Sequence, residues 1–165
     1  MPKTPDEILS MLSTMGIRAS TVRHPPLHTV AESQALRGEI PGGHTKNLFL
    51  RDKGGQYFLI TVEENAAVDL KRIHHAIGAT GRVSFGRPEA MLELLGVTPG
   101  AVTLLGLVND TQGKVRPVID AALLRQTVVN VHPLTNEATT SIAPADLLRF
   151  LDATGHRPLV LNLAG

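Results

Sequence analysis

The chain has 165 residues, which is the size of one domain and is enough to bury a substantial core without disulfide bonds or metal ions. It contains no cysteine, and this excludes disulfides, thiolate catalysis and cysteine-ligated zinc. A formal net charge of +1 at pH 7 argues against a protein whose main task is to grip duplex nucleic acid by its phosphates. A local basic rim is still available from Arg18, Arg23, Lys46, Arg51, Lys53, Lys71, Arg72 and Arg82.

The N-terminal residues lack the long apolar core of a secretory signal, and no apolar run approaches the roughly 18 residues of a membrane span. We therefore expect a cytoplasmic protein without a membrane partner. No repeat, low-complexity tract or linker divides the sequence, so residues 1–165 are expected to form a single domain.

The elements of the first half are bounded by capping residues, proline and glycine. In chain order they are a helix that follows the capping box Thr4–Glu7 and ends at Gly16, a strand over 17–24, a helix from Thr29 to Gly38, a hairpin of strands 46–50 and 56–62, and a helix over 69–77. The hairpin is the firmest of these, because glycine in Lys53-Gly54-Gly55 supplies the positive φ of a tight turn.

The second half reads as short strands between two further helices. In chain order the elements are a strand over 82–85, a helix over 90–95, strands over 101–108, 115–119, 127–131 and 139–142, a helix over 145–153 and a last strand over 159–163. Strands outnumber helices and often follow one another directly, which favours an α/β (α+β) fold with a mixed, largely antiparallel sheet wrapped by helices.

Lys46 and Asn47 stand where a glycine-rich loop becomes the first hairpin strand. A cation and an amide on a rigid strand can hold a carbonyl or a phosphate in a fixed place, although an arbitrary lysine there is usually solvated. Glycines Gly100 and Gly106 at the predicted strand 101–108 would let backbone groups approach a ligand. A lone histidine at the end of a strand, such as His132, is usually a satisfied side chain.

The other histidines give no metal site. Two prolines separate His24 from His28, so the pair cannot share a helix face. His74 and His75 are neighbours on a predicted helix and point about 100° apart. His44 is better placed, close to Lys46. There is no Gly-x-Ser-x-Gly elbow, so a serine-hydrolase triad is unsupported. There is also no Walker loop and no dinucleotide fingerprint, and neither a metal nor a cofactor is expected.

Three segments in this order, Lys46–Leu50, Gly100–Asp110 and Asn130–Pro133, resemble the YbaK/prolyl-tRNA-synthetase-associated editing domain family. The resemblance is strongest to the freestanding ProX/PrdX-type, or prolyl-tRNA editing, branch and runs from about Thr4 to the C-terminus. It implies a compact α/β fold and a trans-editing deacylase that hydrolyses mischarged tRNA for proline, with alanyl-tRNA as the expected substrate.

The resemblance also implies roles for individual residues. Lys46 would be the catalytic contact to the carbonyl or terminal phosphate of the tRNA end, beside Asn47. A wall lined by backbone groups at Gly100, Thr103 and Gly106 would face His132 across the substrate pocket. The family carries a Gly-x-x-x-Pro loop here, in which Gly100 matches and Leu104 stands in place of the proline. Leu104 and Val131 are the candidates for setting the volume of the pocket, which would admit alanine and exclude proline.

Two alternatives stay open. One is the same fold acting on cysteinyl-tRNA for proline, as in the YbaK branch, and the other is a non-catalytic module that binds tRNA or another nucleic acid. The partner in each case is a tRNA acceptor end, with a synthetase as a transient further partner.

Overall fold

A computed structural model describes residues 2–26, 35 and 40–163. The helix predicted from Thr29 to Gly38 lies, apart from Ala35, outside the described residues. The first helix, α1 (Pro5–Thr14), confirms its prediction: Thr4 Oγ1 accepts from the Glu7 backbone N–H, and the Glu7 carboxylate accepts from the Thr4 N–H.

The predicted hairpin is confirmed as β2 (Gly43–Arg51) and β3 (Tyr57–Glu63). The two strands are antiparallel and in register from Thr45 opposite Glu63 to Arg51 opposite Tyr57. Gly55 takes a φ of 90° in the connecting turn, as the sequence predicts.

A buried carboxylate also holds this turn. Asp52 accepts hydrogen bonds from the backbone N–H of Gln56 (2.9 Å) and of Thr80 (2.9 Å). Burial raises the pKa of Asp52, but hydrogen bonds from backbone N–H groups outweigh burial and hold that pKa below its ordinary 3.8. The turn end of the hairpin is therefore fixed by a residue that the glycine-based prediction did not use.

The remaining strands are short, and all described strands join one sheet. They are β1 (Ser20–Arg23), β4 (Ser84–Phe85), β5 (Val115–Asp120), β6 (Val129–Val131), β7 (Ala138–Ile142) and β8 (Leu159–Leu161). The order is β1-β7-β6-β2-β3-β5-β8, and β4 pairs with β2 off this path. Four of the described pairings are antiparallel and three, β2–β6, β3–β5 and β5–β8, are parallel. The prediction of a mixed, largely antiparallel sheet is confirmed.

Helices cover both faces of this sheet. The described helices after α1 are α2 (Ile73–Ile77), α3 (Pro88–Leu95), α4 (Ala121–Leu124) and α5 (Pro144–Ala153). The large core contains Phe49 and residues of α1, α3, α4 and α5, and the small core contains Leu50 and residues of α2. Phe49 and Leu50 are neighbours, so alternate residues of β2 face the two cores, as the period of a strand requires.

The strand predicted over 101–108 is wrong. Two 3-10 helices, Pro99–Ala101 and Leu104–Asn109, occupy this stretch. Thr103 starts the second one, since its Oγ1 accepts from the Leu105 N–H at 3.2 Å and its carbonyl oxygen accepts from the Gly106 N–H at 3.1 Å. A continuous apolar run is equally typical of a strand and of a helix buried on all sides, and this segment is buried almost throughout.

The short helix α4 was not predicted, and the other differences are in length. The helix predicted over 69–77 is regular only over Ile73–Ile77, and the strand predicted over 82–85 is only Ser84–Phe85. Among the described helices, none is both long enough and apolar enough to cross a membrane.

Candidate functional site

Strand β2 has an opening along one edge. On the edge away from β3, β6 pairs with Gly43 and His44, and β4 pairs with Leu50 and Arg51. Within the described part of the chain, no strand pairs with residues 45–49 on that edge. Five residues of a strand span roughly 16 Å, at ~3.3 Å per residue. This leaves a notch in the sheet, bounded by β6 at one end and β4 at the other.

Lys46 lies in this opening. Its side chain is half-buried, and its ammonium donates a hydrogen bond to the carbonyl oxygen of Ala66, in the turn that follows β3. An ammonium carries three donors, so this contact does not exhaust it. Lys46 is therefore held in place on a strand while it keeps donors for a ligand.

His132 directly follows β6, at the same end of the opening. The parallel register sets Gly43 beside Val129 and His44 beside Asn130. Continuing that register brings His132 level with Lys46 and to the same face of the sheet. That the two side chains line one substrate pocket stays a prediction.

The environment of His132 keeps its imidazole neutral. Burial lowers the pKa of His132 below its ordinary 6.5, and the charge of His24 lowers it further. The Ala138 backbone and the Glu64 carboxylate both raise this pKa, but they do not outweigh burial. Its Nδ1 is buried and has no hydrogen-bond partner among the described residues. A neutral imidazole with one uncommitted nitrogen can give or accept a single directional hydrogen bond.

The segment Glu64–Ala66 acts on both side chains. The Lys46 ammonium contacts the Ala66 carbonyl, and the charge of the Glu64 carboxylate opposes the lowering of the His132 pKa. The Glu64 backbone N–H donates to the His44 carbonyl at 2.9 Å, which fastens the turn to β2. Sequence analysis missed Glu64 because it belongs to no motif, and only the order of β6, β2 and β3 brings it to the site.

Asn47 points to the opposite face of β2. Its Nδ2 donates to the carbonyl oxygen of Val102 at 3.0 Å, and its Oδ1 accepts from Thr61 Oγ1 at 2.7 Å. The amide thereby joins β2, β3 and the residue that precedes Thr103. Both ends of the side chain are committed, so its geometry is that of a positioning residue.

The three predicted wall residues are not equivalent. Gly100 is exposed, whereas Thr103 is fully buried and Gly106 is buried. A Cβ added to Gly106 would lie 3.1 Å from the Leu95 carbonyl oxygen, so this glycine permits close packing on α3. A Cβ on Gly100 would meet only the side chain of Asn136, at 3.2 Å. Of the three, Gly100 alone is accessible to a ligand in the described structure.

Leu104 and Val131, the candidates for pocket volume, are both core residues, with exposures of 0% and 2%. Leu104 is the first residue of its 3-10 helix, after the N-cap Thr103. The first helical position tolerates proline because its N–H has no partner within the helix. The 3-10 helix can therefore begin with leucine, as it does here, or with the proline that the resemblance expects.

The remaining histidines make structural contacts. His24 Nε2 lies 2.9 Å from Thr139 Oγ1, and His44 Nε2 lies 2.9 Å from the Ile40 carbonyl oxygen. His28 lies outside the described residues. The rings of His74 and His75 have centroids 4.0 Å apart. Of the residues that the structure describes, no three histidines or acids are arranged to hold a metal ion.

Known proteins resemble this chain along nearly all of its length. The family model of the aminoacyl-tRNA editing domain matches residues 24–150. A mouse protein named prolyl-tRNA synthetase associated domain-containing protein 1 is 38% identical over 160 residues, which are 94% of each chain. The prolyl-tRNA editing protein ProX of Acetoanaerobium sticklandii is 33% identical over 150 residues, covering 90% of this chain and 91% of that one.

A solved structure described as a candidate trans-editing enzyme for prolyl tRNA synthetase superposes with a TM-score of 0.74. It is 23% identical and covers 100% of this chain and 99% of that one. This likeness shows that the two proteins share a fold.

Proposed function

Because the chain belongs to the aminoacyl-tRNA editing domain family, we propose that it deacylates mischarged tRNA for proline in trans, with alanyl-tRNA as its main substrate. Membership confirms the resemblance drawn from the three sequence segments. The observation that supports the proposal is the parallel register of β2 and β6, which continues to set His132 level with Lys46 beside the opening in β2.

The chemistry asked of this site is modest. An aminoacyl ester is already activated, so its hydrolysis needs positioning and stabilisation of the oxyanion more than a strong protein nucleophile. Lys46 supplies the cation for the developing oxyanion or for the terminal phosphate. A water molecule supplies the nucleophile and the neighbouring ribose hydroxyl of the substrate assists it, which suits a chain without cysteine.

His132 and Glu64 suit the amino-acid end of the substrate. The neutral imidazole of His132 presents one nitrogen for a directional hydrogen bond. The Glu64 carboxylate acts on His132 through its charge, and a negative charge complements the α-ammonium of an esterified amino acid. The two side chains together would orient the ester carbonyl toward Lys46.

The remaining predicted residues act less directly in this proposal. Asn47 fixes the strand that carries Lys46 and holds the backbone before Thr103. Gly106 lets that segment pack on α3, and Gly100 borders the substrate. Exclusion of proline then depends on residues that surround the opening more than on Leu104 and Val131, which face the core.

The nucleic-acid part of the substrate meets a local excess of positive charge. Burial lowers the pKa of His74, and the charges of His75, Arg82 and Lys53 lower it further. The Lys53 N–H donates to the Thr80 carbonyl at 3.0 Å, which brings the segment before Arg82 to the turn end of the hairpin. Such a patch suits the phosphates of an acceptor stem, although the whole chain is nearly neutral. A cytoplasmic location and a transient association with a synthetase fit this role.

Hydrolysis of alanyl-, cysteinyl- and prolyl-tRNA for proline by the wild-type protein tests the proposal. We expect alanyl-tRNA to be deacylated fastest and prolyl-tRNA to be spared. Lys46→Ala should lower kcat/KM by about 10²–10³-fold, the usual loss when one oxyanion contact is removed. Lys114→Ala removes an exposed lysine in the turn before β5 and should leave the rate unchanged.

The outcomes separate the candidate functions. Preference for cysteinyl-tRNA would assign the YbaK-type activity instead. Binding of tRNA with no turnover of any ester would make the protein a non-catalytic binding module. Equal rates for Lys46→Ala and wild type would remove Lys46 from the mechanism.

A further inference from the structure

The aromatic side chain of Phe85 stands outside both cores, at the end of the opening opposite His132. It lies on β4, which pairs with β2 where the opening stops. Its exposed fraction is 62%, the largest among the exposed large hydrophobic residues of the described chain. A single exposed apolar residue is ordinary by itself, so its setting has to decide what it does.

The backbone on both sides of Phe85 is fixed. Phe85 is paired with Leu50 in the antiparallel register, and the Gly86 N–H donates to the Phe49 carbonyl oxygen at 2.8 Å. A Cβ on Gly86 would lie 2.4 Å from the Phe49 ring, which itself stacks on Tyr57 with centroids 5.2 Å apart. The Gly86 backbone thus packs against the Phe49 ring of the large core. Phe85 lies on the same fixed segment, and its side chain is exposed.

Two cations are near this ring in sequence. The exposed Arg82 and Arg87 flank Phe85, whereas Arg51, which pairs with Ser84, lies over the Tyr57 ring at 5.8 Å from its centroid. The acid nearest in sequence is Glu89, in the first turn of α3. The carboxylate of Asp52, next to Arg51, is occupied by backbone donors. Proteins that bind single-stranded nucleic acids combine an aromatic ring, on which a base stacks, with arginines that contact the phosphates.

Phe85 also lies at a suitable distance from the candidate catalytic lysine. Its partner Leu50 is four residues beyond Lys46 on β2, about 13 Å along the strand, and the edge of β2 that no described strand pairs with lies between them. Stacked nucleotides rise by about 3.4 Å each, so this distance corresponds to about four stacked nucleotides or fewer extended ones. The unpaired 3′ end of a tRNA can span it.

We propose that Phe85 is a stacking platform for an unpaired base of the tRNA 3′ end, while the esterified terminus of the same strand lies at Lys46. This inference rests on the proposed function for its choice of ligand. It assigns to the exposed β4 a role that the family's motif residues do not cover.

Binding of uncharged tRNA for proline tests the platform without any need for hydrolysis. Phe85→Ala should raise Kd by about 5- to 100-fold, the range expected when stacking on one base is lost. Phe85→Trp should restore binding, since a larger ring also stacks. Leu92→Ala is the matched control, because Leu92 is 54% exposed on α3 and should leave Kd unchanged.

The salt dependence distinguishes stacking from charge. The ratio of the Kd values of Phe85→Ala and wild type should stay constant between about 50 and 200 mM salt, because stacking releases no counterions. Unchanged tRNA binding by Phe85→Ala, or an equal loss with Leu92→Ala, would overturn the platform. Neither of those results would touch the proposed activity, which is tested separately by the hydrolysis of the three aminoacyl-tRNAs by the wild-type protein.

Discussion

The two faces of β2 use neighbouring residues in opposite ways. On one face the ammonium of Lys46 contacts a single backbone carbonyl and lies at the opening with His132. On the other face the amide of Asn47 is committed at both ends, to Val102 and to Thr61. The alternation of a strand separates the two side chains by the thickness of the sheet. One face therefore keeps polar groups for a ligand, and the other uses them to hold the scaffold.

This contrast explains how a two-residue motif can serve one site. A cation that stabilises a transition state must keep its position while the substrate reacts, because the gain comes from donors that need no reorganisation. The hydrogen bonds of Asn47 fix β2 from behind, and Lys46 projects from the same rigid segment. Asn47 thus holds the strand, and Lys46 uses one of its three donors in its contact with Ala66.

The largest predicted effect separates Lys46 from Asn47. Lys46→Ala should abolish most activity yet change the free energy of unfolding by less than about 1 kcal/mol, since its one contact is part-exposed. Asn47→Ala should lower the free energy of unfolding by about 2–4 kcal/mol, because it leaves the Val102 carbonyl and the Thr61 hydroxyl unpaired. Urea unfolding and the deacylation assay measure the two effects separately.

Asn47→Asp is the isosteric control for this pair. The carboxylate still accepts from Thr61, but it faces the Val102 carbonyl oxygen with an acceptor instead of a donor. It should be at least as unstable as Asn47→Ala. If Lys46→Ala unfolds as easily as either Asn47 variant, the division of labour between the two faces is wrong.

Local signals predicted most of the fold. The capping box at Thr4, the glycine turn of the hairpin and the proline that opens α5 each act within a few residues, and each is present in the structure. The prediction of a strand over 101–108 was wrong. This segment is buried on all sides, so its apolar residues show no period that would distinguish a strand from a helix. Residue types alone could not decide there between a strand and a 3-10 helix.

The candidate site was predictable only in part. Lys46 and His132 came from the resemblance, and the register of β2 and β6 agrees with their placement together. Glu64 and Phe85 gave no signal, because their positions depend on pairings between distant segments. The buried contact of His156 Nε2 with Asp110, at 2.9 Å across 46 residues, was invisible for the same reason.

A smaller effect should separate the two glycines of the predicted wall. Gly106→Ala should lower the free energy of unfolding by about 1–3 kcal/mol, because its Cβ would press on the backbone and side chain of Leu95. Gly100→Ala should change it by less than about 0.5 kcal/mol, since the flexible end of Asn136 can move away. Thermal unfolding of both variants checks this difference.

The activities of the same variants place the substrate. If Gly100 borders the ligand, Gly100→Ala should slow deacylation while the protein stays as stable as wild type. If Gly106→Ala slows deacylation without loss of stability, the ligand reaches the Asn47 face and the comparison of the two faces has to be redrawn.

The smallest effect concerns the pH dependence of His132. Its folded pKa lies below its ordinary 6.5, so the unfolded state binds the proton more readily. The neutral ring's contribution to stability is complete above pH 6.5 and is lost as the pH falls toward and through the folded pKa, at no more than about 1.4 kcal/mol per unit of difference. His132→Asn should abolish this part of the decline in urea unfolding measured from pH 7.5 to pH 5, roughly the range in which histidine titrates.

Lys114→Ala is the control for that series, because it removes an exposed side chain that does not titrate between about pH 5 and 7.5 and should leave the slope as in wild type. Glu64→Gln sharpens the measurement further. The Glu64 carboxylate raises the pKa of His132, so its removal should lower that pKa and steepen the loss of stability in acid. An unchanged slope in Glu64→Gln would mean that the carboxylate does not act on His132. The candidate site would then consist of Lys46 and His132 without a contribution from this acid.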